Sequence, residues 1–207
     1  MNKNFPNKKY NSVKKFYRDY ISTLNKSLLK IDDEKLSEIA NQILFALKNK
    51  KHIFVCGNGG SAAIANHFLA DYAKYIKTDN KLKPQVISLS SNIEIITAIS
   101  NDISFEKIFS YQLENLINKD DLLITISSSG NSKNILEAIK MCKKKGGKSI
   151  SFLGFDGGQA KKLSNYSLVL NARNYGLSED SAHIFMHVIC QYLKQKISHL
   201  QINKIIF

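Results

Sequence analysis

The chain has 207 residues, of which 43% are hydrophobic, enough for one domain with a substantial core. Its formal charge is +13, yet all but two of the 30 basic residues are lysine, and the arginine favoured for bidentate phosphate and base recognition is nearly absent, which argues against a nucleic-acid partner. No apolar run is long enough to span a membrane, the polar N-terminus is unlike a signal peptide, and Cys56, Cys142 and Cys190 have no metal or redox spacing, so a cytoplasmic protein with reduced thiols and no membrane partner is expected.

Residues 1–13, with Lys3, Lys8 and Lys9, read as a mobile basic arm, and residues 14–207 as a single domain. From Lys14 to about Lys30, the residues Phe16, Tyr20, Ile21, Leu24, Leu28 and Leu29 recur at helical spacing. Asp32 or Asp33 is placed to cap a second helix through Leu47, with Leu36, Ile39, Ala40, Ile43, Leu44 and Leu47 on one side. Strands then alternate with helices. The strands are expected near Ile53–Cys56, Gln85–Leu89, Leu122–Ile126, Ser149–Leu153 and Ser167–Leu170. The helices are expected near Ala62–Tyr75, Ile93–Ile99, Phe105–Ile117, Asn134–Lys144, Gly158–Leu163 and Glu179–Ile197. Short strands separated by helices imply right-handed crossovers, and hence a doubly wound, five-stranded parallel α/β sheet behind two N-terminal helices.

Ligands of such sheets bind beyond the carboxyl ends of the strands. Two loops expected there are built for an anion. Ser127-Ser-Ser-Gly-Asn-Ser132 follows an apolar strand and opens a helix, so free backbone N–H groups and a helix dipole face outward beside four hydroxyls. A plain serine-rich turn with Ser132 as helix cap has the same composition. Gly57-Asn-Gly-Gly-Ser61 brings bare backbone to the same edge. Gly57, Gly59 and Ala62 also fit a dinucleotide fingerprint, but the second strand runs into Ser90-Ser-Asn92 with no acidic residue for a ribose, which argues against a nicotinamide enzyme. Asn101-Asp102 and the turn Gly154-Phe-Asp-Gly-Gly158 are expected on the same rim.

His67 and Asp71 lie four apart on the helix after the glycine loop and share a face. Glu179, His183 and His187 step by four along the last helix, with Asp180 beside them. A histidine in apolar surroundings such as those of His187 is commonly just a core residue. Two His/carboxylate sets near a phosphate-type rim can instead hold zinc with an open position or exchange protons with a substrate.

Gly57-Asn-Gly-Gly-Ser61 with His67, Ile99-Ser-Asn101-Asp102 with Phe105, and Ile126-Ser-Ser-Ser-Gly-Asn-Ser132 together resemble the phosphoheptose isomerases of the sugar isomerase (SIS) superfamily, from about Tyr17 to Leu193. The resemblance implies a flavodoxin-like SIS domain and interconversion of sedoheptulose 7-phosphate with a heptose 7-phosphate for surface polysaccharide. It also implies a homotetramer with sites at subunit interfaces, often holding zinc. By motif, Asn58, Gly59, Gly60 and Ser61 would line the substrate, Asn101 and Asp102 would contact hydroxyls, and Ser127, Ser128, Ser129 and Ser132 would hold the phosphate. His67, Asp71, Glu179 and His187 would be the metal positions, Asp71 and Glu179 would also face the substrate, and Asp71 with His187 would be the acid–base pair. Asp71 stands where the family usually has glutamate, and Glu179 where it usually has glutamine. The shorter Asp71 withdraws its carboxylate by about 1.5 Å, a displacement that can cost on the order of 100-fold in rate. The resemblance also admits a non-catalytic SIS adaptor that binds the replication initiator, or an isomerase of another phosphosugar. A phosphosugar sensor would normally carry a DNA-binding domain, which the N-terminal helices do not resemble.

Overall fold

The computed structural model describes residues 5–77 and 82–198. The first four residues of the expected arm and the last nine of the domain lie outside that range. Helices α1 (Val13–Leu28) and α2 (Asp33–Lys48) precede β1 (His52–Gly57) and α3 (Gly60–Ala70), which runs on into a π turn, Asp71–Tyr75. Then come β2 (Gln85–Ser88), α4 (Ile93–Asp102), a 3-10 turn (Phe105–Lys107), α5 (Ser110–Leu116), β3 (Leu122–Ser127), α6 (Lys133–Lys144), β4 (Lys148–Leu153), α7 (Gly158–Leu163), β5 (Tyr166–Val169) and α8 (Tyr175–Ile197). Asp or Asn side chains hold three helix starts, of which the sequence alone points to one, at Asp32 or Asp33. Asp32 accepts from the Lys35 amide, Asn92 from Ile95 and Asn174 from Leu177, each satisfying a donor that the first turn leaves without a partner.

All five strands are parallel, in the order β2-β1-β3-β4-β5. Strand β3 is buried along its whole length, which is why Leu122–Ile126 reads as an unbroken apolar run. One face of the sheet packs on α2, α3 and α8 through residues such as Ile43, Phe68, Met186 and Ile189. The other packs on α5 and α6 through Phe54, Leu113, Leu123 and Ile139. The chain order reverses between β1 and β3, so the glycine loop and the serine loop leave adjacent strand ends at the switch point.

Some expectations change. Helix α4 continues through Asp102, so Asn101 and Asp102 lie in its last turn rather than in a rim loop. The helix expected over Phe105–Ile117 breaks into a 3-10 turn and α5. Of the α1 stripe only Leu24 is buried; Ile21 and Leu29 face outward. Within the arm expected to be mobile, Phe5 and Tyr10 make packing contacts, while residues 6–9 are exposed. Phe5 is buried against the rings of Tyr10, Phe16 and Tyr20, its carbonyl accepts from the Asn174 side chain, and Tyr10 donates to Asp19. Aromatic burial outweighs the solvation of the neighbouring lysines, which stay at the surface.

Candidate active site

Helix α3 carries His67 and the residue just past its end is Asp71; α8 packs across them and brings in His187. Asp71 stands between two imidazoles: one carboxylate oxygen is 3.5 Å from His67 Nε2 and the other 3.5 Å from His187 Nε2. One ligand-type atom from each of the three residues falls within 4.8 Å of the others, an arrangement able to hold a metal ion. The π turn begins at Asp71, and such local widenings of a helix are frequent at functional sites. Asp71 is partly buried and the two histidines are more open, so the cluster is reachable from solvent.

His183 lies beside this cluster. Its ring centroid is 5.5 Å from that of His67 and 5.9 Å from that of His187, and the His67 and His187 centroids are 5.0 Å apart. Burial, with the two neighbouring imidazoles, lowers the pKa of His183 below the ordinary histidine value, keeping the ring neutral near pH 7. Its position in the four-residue stripe was visible in the sequence, but its approach to His67 on another helix was not.

Glu179, expected among the metal positions, does not join the cluster. Its carboxylate packs on Gly60 at the start of α3, where a Cβ on residue 60 would come within 2.5 Å of Glu179 Oε1. Residue 60 must therefore be glycine for this approach. Glu179 and His187 both lie on α8, eight residues and about 12 Å apart along its axis.

In the glycine loop, Gly59 caps α3, Gly60 is its first residue and Ser61 is buried. The Asn58 side chain forms a reciprocal pair of 2.9 Å hydrogen bonds with that of Asn134 on α6. Asn134 is 2% exposed and its oxygen also accepts from the Ile135 amide, so one buried side chain ties the glycine loop to the helix behind the serine loop. Asn134 was not singled out from sequence; its position just inside the helix start was the only signal.

In the serine loop, Ser127 Oγ accepts from the Gly130 amide and Ser129 Oγ from the Asn131 amide, so both shape the turn. Ser132 is the N-cap residue of α6, yet its hydroxyl makes no capping bond. The turn is braced from outside: Ala160 donates to the Gly130 carbonyl and Gln159 to Asn131 Oδ1. Gly130 adopts φ +64 with its α-carbon against the Gly157 carbonyl, a place with no room for a side chain. Ser178 of α8 packs on Gly154 next to the Ser128 carbonyl. The first turn of α8 thus lies against both rim loops. Asn101 and Asp102 are exposed, with the Asn101 amide donating to Asp102. A cavity of about 770 Å³ bordered by Lys26, Lys30, Asp156 and Lys161 contains none of the expected site residues.

A SIS domain model matches residues 16–154. The phosphoheptose isomerase of Helicobacter pylori strain P12 is 36% identical over 187 residues, spanning 90% of this chain and 96% of its own length. This chain belongs to the phosphoheptose isomerase family. The family member of Aliarcobacter butzleri strain RM4018 is 40% identical over 166 residues, spanning 80% of this chain and 86% of its own. Among solved structures, the phosphoheptose isomerase of Neisseria gonorrhoeae superposes with a TM-score of 0.81 at 28% identity, covering 88% of this chain and 97% of its own. The family fold is therefore present essentially whole, including the helices in front of the sheet.

Proposed function

We propose that this chain is a phosphosugar isomerase that converts sedoheptulose 7-phosphate to D-glycero-D-manno-heptose 7-phosphate through an enediol. The observation that carries the reading is Asp71 held between His67 and His187 in a chain 36% identical to a phosphoheptose isomerase over nearly its full length. His67 lies seven residues, about 10 Å, along α3 from the glycine loop. That separation suits a ligand whose phosphate sits at the rim while its carbonyl end reaches the imidazole cluster.

Ser128 and Ser132, with the backbone amides at the start of α6, hold the phosphate, helped by the helix dipole. Binding energy from this remote group fixes the carbonyl end. One member of the Asp71/His187 pair removes the proton alpha to the carbonyl, and the other gives a proton to the carbonyl oxygen, forming the enediol. Return of a proton to the adjacent carbon, with loss of one from the other hydroxyl, completes the isomerisation. Two imidazole nitrogens and a carboxylate suit zinc, which in this place would polarise the substrate carbonyl. An adaptor would need an assembly surface but no acid–base group, and the clustering of His67, Asp71 and His187 favours the enzyme.

The proposed assembly is a homotetramer with sites at subunit interfaces. Support comes from apolar residues left outward on α1 (Val13, Tyr17, Ile21) and around α4 (Ile93, Ile103, Phe105). The proposed compartment is the cytoplasm; no described helix is long and apolar enough to cross a membrane, and the three cysteines are unpaired and buried.

The test is turnover of sedoheptulose 7-phosphate in deuterated water with zinc supplied, followed by proton NMR. A new heptose 7-phosphate carrying deuterium alpha to its carbonyl is the expected product. Folded protein that neither converts the sugar nor exchanges the proton would refute the proposal.

A further inference from the structure

Asn134 is the second residue of α6, after the N-cap Ser132 and Lys133. Asparagine is a poor helix former because its side chain competes for nearby backbone groups. Here that tendency is used: Asn134 Oδ1 accepts from the Ile135 amide at 2.9 Å. The Ile135 amide is among the donors that a helix start leaves without a partner, and one that an N-cap serine commonly takes. Ser132 makes no such capping bond. The carbonyl of Asn134 does that work from inside the first turn, and the Ser132 hydroxyl is spared for a ligand at the rim.

The same bond decides how Asn58 is held. Asn134 Oδ1 faces an N–H, so the oxygen and nitrogen of its amide cannot be exchanged without setting two donors against each other. With Asn134 fixed, its NH2 donates to Asn58 Oδ1 and its oxygen accepts from Asn58 Nδ2, both at 2.9 Å. Asn58 is therefore turned one way only. Its second N–H and the second lone pair of its oxygen keep directions set, through Asn134, by a backbone amide of α6. Asn134 is buried and Asn58 only partly so. The inner amide is the fixed member of the pair, and the outer one is the member a substrate can reach.

We propose that Asn134 is a positioning residue for the phosphosugar, leaving the Ser132 hydroxyl free for the phosphate and holding the Asn58 amide in the orientation that meets the sugar. The inference rests on the reading given above, in which Ser132 binds phosphate, and on Asn58 lining the substrate as the family resemblance implies. Asn134 acts through these two neighbours.

Two double-variant cycles in the full chain test this, one pairing N134A with S132A and one pairing it with N58A. In N134A the Ile135 amide loses its acceptor and Ser132 turns to cap it. N134A is expected to raise KM for sedoheptulose 7-phosphate about tenfold, and to weaken inorganic phosphate binding, measured by calorimetry, by a similar factor. S132A should then add no more than about twofold to either loss, and N58A no more than about twofold to the loss in kcat/KM. A residue that only stabilised the fold would lower the melting temperature but leave the S132A and N58A effects at full size in the folded chain. Circular dichroism checks that N134A is folded, and N134L, which fills the same space without polar atoms, serves in its place if it is not. Wild-type KM and phosphate affinity in the folded variant, or full additivity in either cycle, would overturn the inference and leave the isomerase reading standing. A wild-type chain that neither binds phosphate nor converts the sugar would overturn both.

Discussion

Gly60→Ala separates the chemistry of this site from its stability. The methyl group would come within 2.5 to 2.7 Å of the Glu179 carboxylate atoms, about 1 Å inside ordinary van der Waals separation. Gly60 is exposed and the obstacle is the end of a flexible side chain, so Glu179 swings away and the backbone stays in place. Removing a carboxylate from the α3 N-terminus costs about 0.3–1 kcal/mol. Replacing glycine by alanine within a helix returns up to about 1 kcal/mol, so thermal stability should hardly change. If Glu179 faces the substrate, as the family resemblance implies, displacing it by about 1 Å can by contrast reduce turnover on the order of 100-fold. The assay is kcat/KM for sedoheptulose 7-phosphate with a thermal melt, for G60A, E179A and the double variant. In the E179A background the three atoms nearest the new methyl are gone, so it should have little further effect. Activity of G60A within twofold of wild type, or the same loss in both backgrounds, would refute the argument.

Other outcomes follow from the same geometry. D71N should lower kcat at least about 100-fold with little change in melting temperature, because it removes the proton-transfer group from a partly exposed position; near-normal turnover would take Asp71 out of the mechanism. S128A and S132A should each raise KM for the phosphorylated sugar about tenfold or more, the weight of a hydrogen bond to a charged group; an unchanged KM would remove those hydroxyls from the phosphate site. Hydrogen bonds from Lys107 and Lys140 hold the Glu137 carboxyl down to about 2, against an ordinary 4.5. Its folded pKa is depressed, so its stabilisation is complete above the ordinary value and is lost as pH falls from about 4.5 toward 2. Melting curves across that range should fall less steeply for E137Q than for wild type, and parallel curves would count against the pairing.

Much of the architecture was legible because it follows from local pattern. Leu122–Ile126 is an unbroken apolar run since a central parallel strand is buried on both faces, and Asp32 announced α2 because a cap is a local event. Residues brought together across elements were harder to see. The four-residue step Glu179, His183, His187 establishes a shared helix face but says nothing of which member meets α3. That is decided by where α8 crosses it. Asn134 gave no sign of its pairing with Asn58, which lies 76 residues away in the chain. The α1 stripe is covered at Leu24 and, in part, at Phe16, Tyr20 and Leu28, while Ile21 and Leu29 meet solvent, because a helical period marks a face without saying how far its cover extends. Phe5 and Tyr10 were masked by the lysines around them, although two aromatic rings in a short segment suffice to pin it.

The Asn58–Asn134 clasp has a mechanical meaning. By joining the glycine loop to the helix behind the serine loop, it couples the position of one loop to that of the other. The start of α8, with Ser178 against Gly154 and Glu179 against Gly60, leans on the same rim from the other side. It is in turn anchored by Asn174 to the Phe5 carbonyl and by Asp180 to the Tyr20 hydroxyl. The N-terminal segment, far from the site in sequence, thereby helps to seat the start of the helix that carries His187.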